Sequence, residues 1–410
     1  MREWIASHIK GDKTLWALIL VFTLFSFLAV YSTSTNLVYV VGKGTPFGYL
    51  IKHLVFVGVG YLTLYIVHRT PYRFFRPASK LGLILAVLLL IFANLSVSTI
   101  EGANASRWLS VGGVSFQPST FAMVMLMAYV ASYLAKNYGK KLSFKETILP
   151  LWMPVGVIAA LVLLSNLSTA MLILSSVLML TFLGRFPMKH IFSAIGIAIV
   201  FLALFLLVVK AFPEAFPNRV DTWMSRIESF MGGEDNKEGY QIERSKMAIA
   251  KGGIMGQGAG KSTMKNFLPQ SSSDFIYAII TEEYGSLGAI VIMVLYILLL
   301  IRIVVISQKA PTLYGQLLVL GLGFPILLQA IINMGVAVEL FPVTGQNLPL
   351  ISSGGTSLWM TCLALGCILS VSAQKRKDGK MEKDKPEADV EEELAESALR
   401  QMKNANRTGD

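Results

Sequence analysis

The residues of this chain best suited to chemistry lie in one stretch, Gly252–Gly285, which reads GGIMGQGAGKSTMKNFLPQSSSDFIYAIITEEYG. Gly252, Gly253, Gly256, Gly258 and Gly260 let backbone amides approach an anion closely, and Lys251, Lys261 and Lys265 add positive charge beside the hydroxyl of Ser262. A diphosphate suits such a loop; the plain alternative is a flexible turn with incidental lysines. The segment GQGAGKST is not a nucleotide-binding P-loop. That pattern requires glycine five residues before the Gly-Lys-Ser, where this chain has Met255, and no strand precedes it.

Asp274 follows Ser271, Ser272 and Ser273 and heads an apolar run. As a general base at a water–lipid boundary it would have its pKa raised by burial and lowered by neighbouring lysines. It would equally serve as a helix N-terminal acid favoured by the macrodipole. Glu282 and Glu283 lie about 12–14 Å further along a helix axis and off the face of Asp274. An ionised acid inside a bilayer costs roughly 2.5–3.5 kcal/mol on insertion scales, so these two require a partner or a wet cavity.

The elements that must position these groups are membrane helices. The 410 residues are 54% hydrophobic and 15% charged, which no soluble domain of this size matches. Apolar runs predict ten spans, near 14–34, 48–68, 79–97, 118–135, 148–164, 167–184, 190–212, 274–302, 312–336 and 353–373, with Asn166 at a break between the fifth and sixth. The formal charge of +11 comes mostly from Lys and Arg that punctuate alternate connections. That pattern fits topology signals rather than a nucleic-acid face, and places both termini in the cytoplasm. The expected architecture is an all-α polytopic membrane protein, with a membrane domain over 1–373, an outer loop over about 213–273, and a charged, disordered cytoplasmic tail over 374–410. Within that outer loop, Val220–Phe230 and Ile242–Ala250 have amphipathic periodicity. Cys362 and Cys367, at i and i+5 of one span, face different ways and predict neither disulfide nor metal framework.

Two further features surround the stretch. Gln329 and Asn333, at i and i+4 in the ninth span, suit interhelical hydrogen bonding. After Glu339 comes FPVTGQNLPLISSGGTS, Phe341–Ser357, whose prolines, glycines and hydroxyls predict a non-helical re-entrant element. Such backbone survives at membrane depth only where it lines protein or a wet cavity.

These motifs resemble the SEDS family of cell-wall proteins, the FtsW/RodA/SpoVE group. The matches are Asn104–Trp108, Phe116–Ser119, Tyr240-Gln241, Gly252-Gly253, Gly256–Ser262, Leu268-Pro269, Ser273–Phe275, Glu282–Gly285, Asn333–Gly335, Pro342–Gly345 and Leu348–Ser357. The resemblance implies ten spans and a peptidoglycan glycosyltransferase of the bacterial inner membrane. It would polymerise lipid II at the outer face with a class B penicillin-binding protein. The glycine loop and VTGQNLPLIS look more like the division branch, FtsW, than the elongation branch, RodA, which implies other divisome partners at the septum. Asp274 matches the family's essential aspartate and is expected to be catalytic. Arg107, Arg219, Arg226, Gly256, Gly258, Gly260, Lys261, Ser262, Lys265, Glu283, Ser352 and Ser353 are expected to contact substrate. No cofactor is assigned; a divalent cation (Mg or Mn) fits a diphosphate leaving group. The Glu and Lys common in the family after Gln-Pro-Ser are Thr120 and Met123 here, so that ion pair is missing. A lipid II flippase and a divisome scaffold are the rival readings.

Overall fold

The computed structural model describes residues 10–41, 45–95, 108–111, 114–211, 237–268 and 270–374. The chain is helical almost throughout. Its long helices are α1 (Lys13–Val41), α2 (Pro46–Arg69), α3 (Phe75–Leu95) and α4 (Pro118–Lys136). A span over Phe144–Leu163 joins the short α5 (Phe144–Thr147) to α6 (Met153–Leu163) through a π turn at Ile148–Trp152. Then come α7 (Leu167–Leu183), α8 (Met188–Ala211), α9 (Lys237–Gly252), α10 (Ile276–Lys309), α11 (Leu313–Ala337) and α12 (Gly355–Ala373). Among the described residues nine helical segments are long and apolar enough to cross a bilayer, and the apolar α7 is shorter at 17 residues. The expected apolar runs overlap these segments, nine of which are of spanning length among the described residues, and the protein is a polytopic membrane protein.

Local chemistry sets the breaks. Thr45 caps α2 by accepting from Gly48 N at 3.0 Å, with Pro46 at the first helical position. Asn166 caps α7 through Thr169 N at 3.3 Å, so the expected break is a helix start. A two-stranded hairpin, β1 (Leu109–Val111) with β2 (Val114–Phe116), has no expectation in the sequence. Its three-residue strands carry too little alternation to be read. The expected amphipathic segment Ile242–Ala250 lies within α9. Val220–Phe230 and the tail beyond Gln374 lie outside the described residues.

Helices α4, α11 and α12 bury two-thirds of their apolar windows, whereas α8 buries 6%. Helix α11 is thus the centre of the bundle, packed against α4, α7, α10 and α12, while α2 and α12 form the most extensive pair. At the end remote from Asp274, Arg302 of α10 pairs with Asp12, whose carboxylate also caps α1 through Leu15 N at 2.9 Å. Asp12 N donates to Ser372 Oγ at 2.9 Å, so this ion pair ties the chain start to α10 and α12. Both cysteines are buried and unpaired.

Candidate active site

Asp274 stands one residue before the N-cap of α10, half-buried, in a compact turn that starts at Gln270. Main-chain bonds from Ser273 N and Asp274 N to Gln270 O, at 3.0 and 3.1 Å, close that turn. Beneath it Phe275 and Ile279 pack with Ile242 of α9, Leu268, Val336 and Val343 in a small apolar cluster separate from the main core. This cluster seats α9 over the ends of α10 and α11. Ser245 of α9 donates to Ala337 O at 2.8 Å and Lys246 pairs with Glu339 at 2.6 Å, which completes the seat.

The segment Phe341–Gly354 is non-helical, as its composition requires, and it is bonded directly to the Asp274 turn. Ser352 Oγ donates to Ser273 O at 2.6 Å, and Ser353 donates to Ser272 O from both Oγ (2.9 Å) and N (3.1 Å). Asn333 of α11 donates from Nδ2 to Asp274 O and to Gln346 O, each at 2.7 Å. Gln346 in turn donates to Thr169 Oγ1 at 2.9 Å, which brings the start of α7 to the site. Two non-glycine residues with left-handed backbone, Gln270 (φ 57) and Leu350 (φ 66), flank this junction. A bulky side chain at positive φ is sparsely populated and persists only where its surroundings hold it, which is common at functional sites. Of the expected site residues, the fold therefore brings Asp274, Ser352 and Ser353 together. Asn333, Gln346 and Thr169 join them: in sequence Asn333 reads as interhelical glue, Gln346 as part of the re-entrant element, and Thr169 carries no reading.

A cavity of about 30 Å³ adjoins the junction at the seam of α4, α11 and α12. Its polar lining is Thr120, Gln329, Ser357 and Thr361. Gln329 connects it to the re-entrant segment by donating to Asn347 O at 3.1 Å. Pro325, inside α11, also lines it and leaves one carbonyl of that helix without its usual donor. Thr120 and Met123 occupy the wall where the family resemblance expects an ion pair, so this wall carries no charge. The space suits one or two waters.

The glycine loop is organised by the two acids of α10. Glu282 is fully buried, and its carboxylate accepts from Ser262 Oγ, from Thr263 N (3.0 Å) and Oγ1 (3.1 Å), and from Met264 N (3.2 Å). Glu283, 2% exposed, accepts from Ser32 Oγ of α1 and from Ser262 N at 3.3 Å. Their main-chain carbonyls accept from Gln257 N and Gly258 N, both at 2.9 Å. The partners that the cost of two membrane acids demanded are thus the loop's own amides and hydroxyls. The cradle expected for an external anion is filled by the chain itself at Gln257, Gly258, Ser262, Thr263 and Met264. Gly256 N is likewise turned to Gly252 O, at 2.8 Å.

Glycine is needed here for proximity. A Cβ on Gly252 would stand 2.1 Å from Thr281 O, and one on Gly256 2.2 Å from Glu283 O. Gly285 kinks α10 with φ 68, and a Cβ there would stand 2.1 Å from Ile254 O. Lys265 is buried and donates to Gly260 O at 2.7 Å, while Lys261 is exposed. Arg107, Arg219 and Arg226 lie outside the described residues. Among the described residues no group of three or more His, Cys, Asp and Glu side chains could hold a metal ion. A single carboxylate such as Asp274 suits Mg²⁺ only when a bound phosphate completes the shell.

Comparison with known proteins fits this geometry. The chain is 32% identical over 338 residues to the probable peptidoglycan glycosyltransferase FtsW of Coxiella burnetii, covering 80% of this chain and 87% of that one. It is 30% identical over 330 residues to the stage V sporulation protein E of Bacillus subtilis, covering 79% and 87%. Among solved structures it superposes on a chain from a peptidoglycan synthase complex that coordinates polymerization and crosslinking. That match has TM-score 0.69 at 25% identity and covers 90% of this chain and 99% of that chain. The FtsW/RodA/SpoVE model, described as cell cycle protein, matches residues 12–377, nearly the whole membrane bundle, and the chain belongs to that family.

Proposed function

We propose that this protein is a peptidoglycan glycosyltransferase that polymerises lipid II, with Asp274 as its general base. The observation that carries the assignment is the junction at Asp274. The main-chain carbonyls of Ser272, Ser273 and Asp274 accept from Ser353, Ser352 and Asn333, which fixes the backbone of a half-buried aspartate where a re-entrant segment meets the head of a membrane helix. That position gives one carboxylate access to a sugar at the water boundary while the carrier lipid stays in the bilayer.

In this reaction Asp274 takes the proton from the 4-hydroxyl of the acceptor's GlcNAc. That oxygen attacks C1 of the donor's MurNAc with inversion, and undecaprenyl diphosphate leaves with the bonding pair. The leaving diphosphate needs positive charge. Lys261 is an exposed cation within the glycine loop, and Arg107, Arg219 and Arg226 are the further candidates. Cleavage of the diphosphate link supplies the driving force, in keeping with the failed P-loop match. The alternation of Lys and Arg between connections supports both termini in the cytoplasm and Asp274 on the outer side of a ten-span bundle. The carrier's tail lies along the lipid-facing surface of the bundle, where α8 and α10 expose apolar side chains. Division rather than elongation, a class B penicillin-binding protein as partner and a septal location follow from likeness to the FtsW relatives.

The test is the purified full chain in detergent with labelled lipid II, with and without a class B penicillin-binding protein. Glycan ladders that vanish with Asp274→Asn establish the assignment. Transfer of lipid II across a sealed bilayer without ladders under any of these conditions would establish the flippase instead.

A further inference from the structure

The turn Gly253–Gly256 presents two large apolar side chains outward. Ile254 is 70% exposed and Met255 78%. This is not slack chain: Ser286 donates to Gly253 O from N and Oγ, each at 2.9 Å, and Leu287 N reaches Ile254 O at 3.4 Å. Contact of Gly252, Gly256 and Gly285 with opposing main chain holds the turn flat against the α10 kink.

The depth of this turn follows from α10. From Ser286 to Ile301 the helix has no charged residue before Arg302, and sixteen residues extend about 24 Å, most of a hydrocarbon core. Leu287, Ile290, Val291, Val294 and Ile301 along this run are 44–51% exposed, as lipid-facing side chains are. Leu287 opens that stripe, and Ile254 is bonded beside it. The outward apolar tip thus continues the lipid-facing surface at its upper rim. Lys251 and Lys261 precede and follow the turn in sequence and are exposed, and Lys251 is held to Thr263 Oγ1 at 2.6 Å.

We infer that Ile254 and Met255 form a finger inserted into the acyl boundary of the leaflet on the Asp274 side, fixing the carboxylate-clamped loop at a set bilayer depth. Its occupant is lipid rather than a protein partner. Amphipathic elements of this kind bury their apolar side about 5–10 Å into the boundary.

The experiment places a nitroxide on Met255→Cys in the full chain in phosphatidylcholine vesicles; the native cysteines are 1% and 2% exposed and stay unlabelled. Collision with oxygen is compared with collision with a water-soluble nickel chelate, using Lys261→Cys as the aqueous reference and Ile290→Cys as the hydrocarbon reference. The expected oxygen-to-nickel ratio at 255 is several-fold above that at 261 and approaches that at 290. A ratio equal to that at 261 overturns the inference. So does shielding from both reagents, which would mean that protein covers the tip. The readout needs no activity, so it stands or falls separately from the polymerase assignment.

Discussion

Asn333 holds Asp274 by its main chain: Nδ2 donates to Asp274 O at 2.7 Å and to Gln346 O at the same distance. One amide in the middle of the bundle thus joins the head of α10 to the re-entrant segment. The backbone of Asp274, a half-buried residue, is thereby fixed to the core of the bundle. Catalytic precision in such a site depends on a tether of this kind, because small displacements of a base cost orders of magnitude in rate.

Asn333→Ala removes both bonds and leaves two buried carbonyls without a donor. The expected loss is about 1–3 kcal/mol of stability per orphaned group. Polymerisation should fall although Asp274 is intact. Thermal unfolding in detergent together with lipid II turnover checks this; a full parental rate at unchanged stability would remove Asn333 from any positioning role.

Asp274→Asn keeps the size of the side chain and the backbone bonds that hold it. Loss of a general base lowers turnover by about 10²–10⁴-fold. The expected result is a folded, partner-binding protein, because the main-chain bonds at this turn are kept. Single-turnover lipid II polymerisation measures the drop.

Glu282→Ala strips the acceptor from Ser262, Thr263 and Met264 at a fully buried position. Loosening of residues 257–266 is expected, with a stability loss of roughly 3 kcal/mol or more from several unsatisfied donors. Glu282→Gln keeps one acceptor oxygen and should lose less. Amide hydrogen exchange of the loop resolves the two cases.

Gly285→Ala forces a side chain onto φ 68 and into Ile254 O. Strain of about 1–3 kcal/mol is expected from the backbone conformation, before the clash is relieved. The turn at Gly253–Gly256 should detach from α10, which protease sensitivity at Ile254-Met255 would report.

The primary structure by itself determined the class of molecule and the order of its spans. Apolar runs of bilayer length and alternating positive connections are local properties, so Asn166 could be read as a break and Phe341–Ser357 as non-helical backbone before any packing was known. It also marked Asp274, Glu282 and Glu283 as acids in an apolar context that had to be satisfied or used. Which of those applied was decided by tertiary structure. Glu282 and Glu283 proved to be satisfied, by amides about twenty residues upstream and, for Glu283, by Ser32 of α1, 251 residues away. The glycines that had suggested an anion cradle were needed so that main chain could lie against main chain. Thr169 carried no local sign of belonging to the site, and the bonds of Asn333 and Gln346 could not be read either, because their partners are carbonyls and hydroxyls brought near only by helix packing. Hydrophobic period and charge act along the chain, whereas hydrogen-bond partnership depends on contacts between distant segments, which no local pattern encodes.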